Sequence, residues 1–299
     1  MIRHYLRTYV VALFAFLLLL VFTAPLHAQE QSGKSCLFKI TSSKGTVYLL
    51  GSMHLMKESV YPLPETIERA FQESSDVVFE INIGEMESPQ AQEIMLRKSL
   101  FTDGRTLSKV LKPATYEKLK EAAKSLNLDV VQLDSLKPWS MAMALVVIKM
   151  NQLGFSPEAG VDRYFYRKAV NAGREISGLE TMEMQLNLMD GLSMAQQDML
   201  VSQTLDDFAD MGKTVDDMMI IWKNGEMDKI EQMITDSFRD YPALYNTLFV
   251  KRNKRWASQV GALLAQKKTI FVVVGAGHLV GKNNLLELLR RKGYTVEQM

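Results

Sequence analysis

Two matched segments near opposite ends of the chain constrain its fold most. Each is an apolar run of strand length that leads into Gly-x-x-His: the first contains Gly51 and His54, and the second contains Gly275 and His278. This pattern predicts a buried strand entering a tight turn, which glycine permits. Because open α/β sheets bind ligands at the carboxyl ends of their strands, we expect the two imidazoles to converge.

A third apolar run, residues 76–83, carries an acidic residue, Glu80, near its carboxyl end. A buried strand does not tolerate an unpaired carboxylate, so either Glu80 belongs to the site or it faces solvent from an edge strand. His54, Glu80 and His278 would form a common ligand set for a catalytic divalent metal that keeps positions open for water.

The order of the predicted elements indicates an α/β fold. Strand candidates flank a central block at about residues 89–268. Before the block come a hairpin of residues 37–40 and 47–50 and the strand containing Glu80, and after it come two strands near the carboxyl terminus. That block has helical periodicity, with one short strand candidate at residues 175–179. Because the two ends must meet, we predict a single domain over residues 29–299, with a mainly parallel central sheet and a large helical insertion.

The first 28 residues have the pattern of a secretory signal peptide. A basic start with Arg3 and Arg7 precedes a long apolar run, and Leu26-His27-Ala28 is a plausible cleavage site. We therefore predict an exported protein, periplasmic or extracellular, with an uncleaved amino-terminal membrane anchor as the alternative. Cleavage would leave His54 and His278 as the only histidines, because His4 would depart with His27.

Composition excludes several classes of function. The chain has 35 Lys and Arg against 34 Asp and Glu, so bulk charge gives no reason to expect a nucleic-acid partner. Its one cysteine, Cys36, cannot supply a cysteine-rich zinc site. Neither His-Glu-x-x-His nor Gly-x-Ser-x-Gly occurs. Residues 275–281 have the glycines of a dinucleotide-binding loop, but the chain ends too soon after them to complete such a domain.

Several motifs together resemble the TraB/GumN family, over about residues 37–299. The motifs are Gly51-Ser52-Met53-His54, Glu80 in Val-Phe-Glu-Ile-Asn, Pro138-Trp139, Gly178-Leu179-Glu180-Thr181, Arg252-Asn253-x-x-Trp256 and Gly275-Ala276-Gly277-His278. The resemblance implies an erythromycin-esterase-like or Tiki-like fold. It also implies kinship with the Tiki metalloproteases, whose divalent metal is manganese or cobalt, with zinc as a further option here.

The resemblance also implies roles for individual residues. His54 and His278 would be metal ligands or direct catalytic groups, and Glu80 a ligand or general base. Arg252 would hold an oxyanion or a substrate carboxylate, with a plain surface arginine as the alternative. Gly51, Gly275 and Asn253 would support the site, and Glu180 would either add a carboxylate or cap the next helix.

The predicted function is metal-dependent hydrolysis of a peptide by an exported peptidase. A non-peptidase hydrolase acting on a small ester or a polysaccharide precursor would use the same residues. A non-catalytic protein that binds and sequesters a peptide or haem is the other alternative, since the methionine-rich stretch of residues 182–233 could line a groove. The plainer interpretation of that stretch is a helical core.

Overall fold

The computed structural model describes residues 33–206 and 208–299. The predicted signal peptide, residues 1–28, lies outside them. Six strands form one sheet in the order β4-β3-β5-β2-β1-β6. The strands are β1 Leu37–Thr41, β2 Thr46–Ser52, β3 Asp76–Ile81, β4 Glu175–Glu180, β5 Thr269–Gly275 and β6 Thr295–Gln298.

The centre of the sheet is parallel, as the sequence predicts. Strand β5 pairs in parallel with both β2 and β3, and β3 pairs in parallel with β4. Strand β1 pairs antiparallel with β2 and with β6. The short candidate at residues 175–179 is strand β4, at one edge of the sheet. Strand β3 lies inside the sheet between β4 and β5, so the edge-strand alternative for Glu80 is wrong.

Helices fill most of the segment between β3 and β5. The α-helices are α1 Glu65–Glu73, α2 Ile83–Met86, α3 Pro89–Ser99, α4 Leu107–Val110, α5 Pro113–Ser125, α6 Pro138–Gln152, α7 Val161–Asn171, α8 Met182–Asp190, α9 Met194–Asp206, α10 Met211–Lys223, α11 Met227–Ser237, α12 Pro242–Tyr245, α13 Lys251–Leu264 and α14 Leu285–Arg291. A π-helix, Asn246–Val250, joins α12 to α13, and a 3₁₀ turn, Ala276–Leu279, follows β5.

The two faces of the sheet pack against different helices. Val47 and Leu49 of β2 lie in one core with Trp256 of α13 and Leu289 of α14. The alternate residues of β2 lie in a second and larger core with most of the inserted helices. A parallel sheet covered on both faces requires nearly continuous apolar strands, which explains why the central strands β2, β3 and β5 are so apolar.

Helix α6 and the methionine-rich helices form part of the larger core. Trp139, in the first turn of α6, is fully buried, and proline at the start of the helix supplies a compatible backbone angle. Met182, Met211 and Met218 are buried as well. These methionines of the stretch at residues 182–233 therefore pack in the helical core, whereas Met184 and Met199 are exposed. Across residues 33–206 and 208–299, no helix has the length and apolar character needed to cross a membrane.

Candidate active site

The carboxyl ends of the parallel strands bring the predicted residues together at one edge of the sheet. The register pairs Ser52 at the end of β2 with Gly275 at the end of β5, so the two Gly-x-x-His turns lie side by side. A Cβ atom on Gly51 would lie 2.9 Å from Leu279 Cδ1 and 3.1 Å from Ala276 Cα. Glycine at position 51 therefore allows the turn after β5 to approach strand β2.

Glu80 is a buried carboxylate with partners on both oxygens. Its Oε2 accepts hydrogen bonds from Arg252 Nη2 at 2.6 Å and from Gln185 Nε2 at 3.1 Å. Its Oε1 accepts the backbone N–H of Gly275 at 2.7 Å. Burial alone would raise the pKa of Glu80, but the charge of Arg252, the largest opposing cause, outweighs burial and lowers the pKa to about 2. Glu80 is therefore ionised at neutral pH.

Arg252 links the two carboxylates of the site and is completely buried. Besides Glu80, it contacts Glu180 Oε2 through Nε at 2.9 Å and the Leu248 carbonyl through Nη1 at 3.2 Å. Its Nη1 also lies 2.9 Å from His278 Nε2. Each guanidinium nitrogen thus has a protein partner.

This arrangement corrects the surface alternative for Arg252. It is not a surface arginine, because its side chain is 0% exposed. Its predicted contact with an oxyanion or a substrate carboxylate stays a prediction, and a substrate would have to displace one of its protein partners. Arg252 instead holds Glu80, Glu180 and His278 in place.

His278 is a neutral imidazole in this network. Arginine can only donate, so Nε2 accepts from Arg252, and Nδ1–H donates to Asn253 Oδ1 at 2.6 Å. The Asn253 amide is oriented by its own Nδ2, which donates to the Asn283 carbonyl at 3.2 Å. Burial and then Arg252 lower the pKa of His278 well below its ordinary value, which agrees with the neutral form.

His54 faces a different environment. Its Nδ1 lies 3.0 Å from Asp162 Oδ1, and its Nε2 is buried without a hydrogen-bond partner. Burial alone would lower the pKa of His54, but Asp162, with a smaller contribution from Glu80, raises it above the ordinary value. A cavity of about 40 Å³ lies beside the ring, with Glu80 also in its wall. The apolar part of the wall consists of Phe79, Ile81, Ile83, Met86, Pro157 and Val273.

Glu180 is a structural partner of the site. It lies at the end of β4, and both its oxygens are engaged, one by Arg252 and the other by Arg255 Nη2 at 2.5 Å. The cap of helix α8 comes instead from Thr181, whose hydroxyl accepts from Met184 N at 3.2 Å. The carboxylate alternative for Glu180 is therefore the one that matches the structure, and the capping alternative is wrong.

Sequence reasoning missed Asp162 and Gln185. Asp162 opens helix α7 in the segment Gly160-Val161-Asp162, and Gln185 lies inside helix α8. A buried histidine and a buried carboxylate each need a polar partner, which is the one signal that predicts such residues. No local motif identified either residue.

Two of the predicted ligands, His54 and Glu80, line one cavity and could each offer a donor to a divalent metal. His54 Nε2 is buried without a hydrogen-bond partner, and its Nδ1 is anchored on a carboxylate, as in most metal-binding histidines. Within the described residues, no group of three or more His, Cys, Asp or Glu side chains is arranged to hold a metal ion. His278, the predicted third ligand, differs because its Nε2 accepts from Arg252.

Comparison with known proteins agrees with the resemblance seen in the sequence. The family model for the TraB/PrgY/gumN family matches residues 36–298. Metalloprotease TIKI2 of Danio rerio is 25% identical over 84% of this chain and 58% of its own length. Metalloprotease TIKI1 of Homo sapiens is 24% identical over 84% of this chain and 59% of its own length.

The chain thus spans somewhat under two thirds of the length of these relatives. The uncharacterized protein YbaP of Escherichia coli (strain K12) is 22% identical over 81% of this chain and 87% of its own length. No solved structure matches. The family match covers nearly all of the described residues and includes both histidine turns, so the chain belongs to the TraB/PrgY/gumN family.

Proposed function

We propose that this protein is an exported hydrolase that cleaves peptides at the cavity beside His54. The observation that carries the proposal is His54 Nε2, a buried ring nitrogen that has no protein partner and shares a cavity with the ionised Glu80. Family membership and the relatives named metalloproteases support a peptidase over other hydrolases. The predicted signal peptide supports export, to the periplasm or the cell surface.

Glu80 supplies fixed negative charge in this proposal. A carboxylate with a pKa of about 2 is a weak proton acceptor at neutral pH. Of the two roles expected for Glu80, ligand and general base, the ligand role therefore has the better support. One lone pair of its Oε1 remains beyond the Gly275 N–H, since a carboxylate oxygen accepts two hydrogen bonds.

We propose a divalent metal as cofactor, manganese or cobalt before zinc, held by His54 Nε2 and Glu80. Such an ion, when bound, lowers the pKa of a coordinated water toward neutrality. Arg252 and the Gly275 N–H fix the Glu80 carboxylate at a cavity whose wall is mainly apolar. His278 contributes by orienting Arg252 through Nε2, and it would join the ligands only by giving up that contact.

The test combines metal binding with hydrolysis by the full-length chain. The melting temperature of wild type, His54→Asn and His278→Asn is measured with manganese, cobalt or zinc. Each of the three proteins is then assayed for hydrolysis of a library of internally quenched peptides and of a p-nitrophenyl ester. Binding stabilises the folded state by mass action, so we expect a metal-dependent rise in melting temperature that His54→Asn abolishes. Peptide cleavage without ester cleavage supports the peptidase, and the reverse supports an esterase.

The variant Glu80→Gln separates catalysis from binding. It keeps the shape of the side chain but removes its charge, so we expect turnover to be lost while peptides that bind wild type still bind. Hydrolysis by wild type with no metal-dependent shift would refute the metal. No hydrolysis of any probe, together with peptide or haem binding that Glu80→Gln leaves unchanged, would refute the enzyme and leave a binding protein.

A further inference from the structure

The His54 ring is held by a carboxylate from a helix more than a hundred residues away in sequence. Asp162 is the second residue of helix α7, and its Oδ1 lies 3.0 Å from His54 Nδ1. Since a carboxylate only accepts, Nδ1 carries the proton, and in the neutral ring Nε2 is left with a free lone pair. That lone pair is the buried atom without a partner at the cavity.

Backbone contacts fix Asp162 in this position independently of the ring. The N–H of Val161 donates to the Met53 carbonyl at 3.0 Å. A Cβ atom on Gly160 would lie 2.3 Å from the His54 carbonyl oxygen, so only glycine permits this approach. The Tyr61 hydroxyl donates to the Ala159 carbonyl at 2.9 Å. The start of α7 is therefore attached to the segment carrying His54 at several points.

The neighbouring arginine does not neutralise this carboxylate. Arg163 follows Asp162 in the chain, but its guanidinium pairs with Glu87 and with Glu158. The carboxylate of Asp162 thus remains available to His54, and its side chain is 19% exposed in a mainly buried environment. An ionic hydrogen bond in such surroundings is stronger than one between neutral groups.

We propose that Asp162 is a positioning residue for His54. Its carboxylate selects the Nδ1–H tautomer and aims Nε2 at the cavity, so that the lone pair is available to a metal ion or a water molecule. The proposal rests on the proposed function in one respect, namely that His54 Nε2 is the working atom. The tautomer itself can be measured without any substrate.

The first test reads the tautomer by NMR. The full-length, metal-stripped chain is labelled with ¹⁵N-histidine, and the His54 signals are assigned by their loss in His54→Asn. Because the pKa of His54 is raised above its ordinary value, the pH is raised to about 10 and the tautomer is read where the ring signals no longer change with pH, so that the ring is neutral. Wild type is expected to show a protonated Nδ1 and an unprotonated Nε2. Asp162→Ala is expected to move the proton to Nε2, whereas Asp162→Asn, whose amide oxygen still accepts from Nδ1, is expected to keep the wild-type tautomer.

A matched control is Asp216→Asn, which removes an acid from the exposed ion pair with Lys57 and is expected to leave the His54 signals unchanged. A wild-type His54 with the proton on Nε2 would overturn the proposal, even if Asp162→Ala failed to fold. Unchanged His54 signals in a folded Asp162→Ala would overturn it too.

The second test separates positioning from a general loss of stability. Partners that orient a ligand histidine contribute about 10–100-fold to metal affinity or activity. We therefore expect Asp162→Ala to weaken manganese binding by about 10–100-fold and to lower kcat, with little change in KM, on a peptide that wild type cleaves. Asp162→Glu is expected to restore part of both. If wild type cleaves nothing but the tautomer changes as expected, the proposed function fails and the role of Asp162 stands.

Discussion

Removing Arg252 tests whether the buried charge network holds the site together. In Arg252→Met the apolar volume is largely kept, but Glu80 and Glu180 lose a cation inside the protein. The side chain of Arg252 is 0% exposed, and those of Glu80 and Glu180 are 8% and 0% exposed. Breaking a buried ion pair from one side costs about 3–5 kcal/mol, because the remaining charge is left without compensation.

Arg255→Met is the matched control, because Arg255 pairs with the same carboxylate from the surface. Its side chain is 47% exposed and contacts Glu180 Oε1 at 2.5 Å. An ion pair with one exposed partner contributes about 0–1 kcal/mol, and Glu180 keeps Arg252 in this variant. Arg252→Met and Arg255→Met are the same substitution on the same helix, α13. We therefore expect the free energy of unfolding to fall much more in Arg252→Met than in Arg255→Met.

The assay is urea unfolding of wild type and both variants at neutral pH, repeated in mild acid. The deficit of Arg252→Met is expected to shrink as the pH falls from about 7 to about 5. Without the guanidinium, the buried Glu80 loses the cation that lowers its pKa, while burial still raises that pKa, so the folded variant takes up a proton that the unfolded chain does not. An Arg252→Met loss no larger than that of Arg255→Met, or a deficit that does not depend on pH, would refute this account.

Three further predictions concern other parts of the molecule. The pKa of Glu80 is lowered from 4.5 to about 2, so its ionisation contributes about 3 kcal/mol to the free energy of unfolding. That contribution should be complete above about pH 4.5 and disappear as the pH falls toward 2. Urea unfolding should show this loss of stability with falling pH in wild type, and Glu80→Gln should lack it. In Gly160→Ala the added Cβ would lie 2.3 Å from the His54 carbonyl oxygen, so we expect the free energy of unfolding to fall by about 1–3 kcal/mol, and an unchanged melting temperature would contradict this. Burial raises the pKa of the Cys36 thiol, so a thiol reagent should label the native protein only as fast as it opens; immediate stoichiometric labelling in native buffer would contradict the burial.

Much of the fold could be predicted from local patterns in the sequence. The continuous apolar runs of β2, β3 and β5 are what a parallel sheet covered on both faces requires. Because these strands are parallel, their carboxyl ends meet at one edge of the sheet. The convergence of His54, Glu80 and His278 therefore followed from their places at the ends of these strands. The bounds of elements were less accurate, since the apolar run of residues 76–83 continues beyond the end of β3 at Ile81.

The roles of the site residues depended on tertiary contacts. Arg252 meets Glu80 across 172 residues of sequence, and His54 meets Asp162 across 108. Which side chain of a helix faces a carboxylate on a distant strand depends on how the helix is rotated against the sheet, and packing of the whole core sets that rotation. The sequence thus determined which strands carry the titratable groups. Only the tertiary structure decided that His278 is bound by Arg252 while His54, held by Asp162, keeps a free nitrogen, because hydrogen bonds between distant segments exist only once the chain is folded.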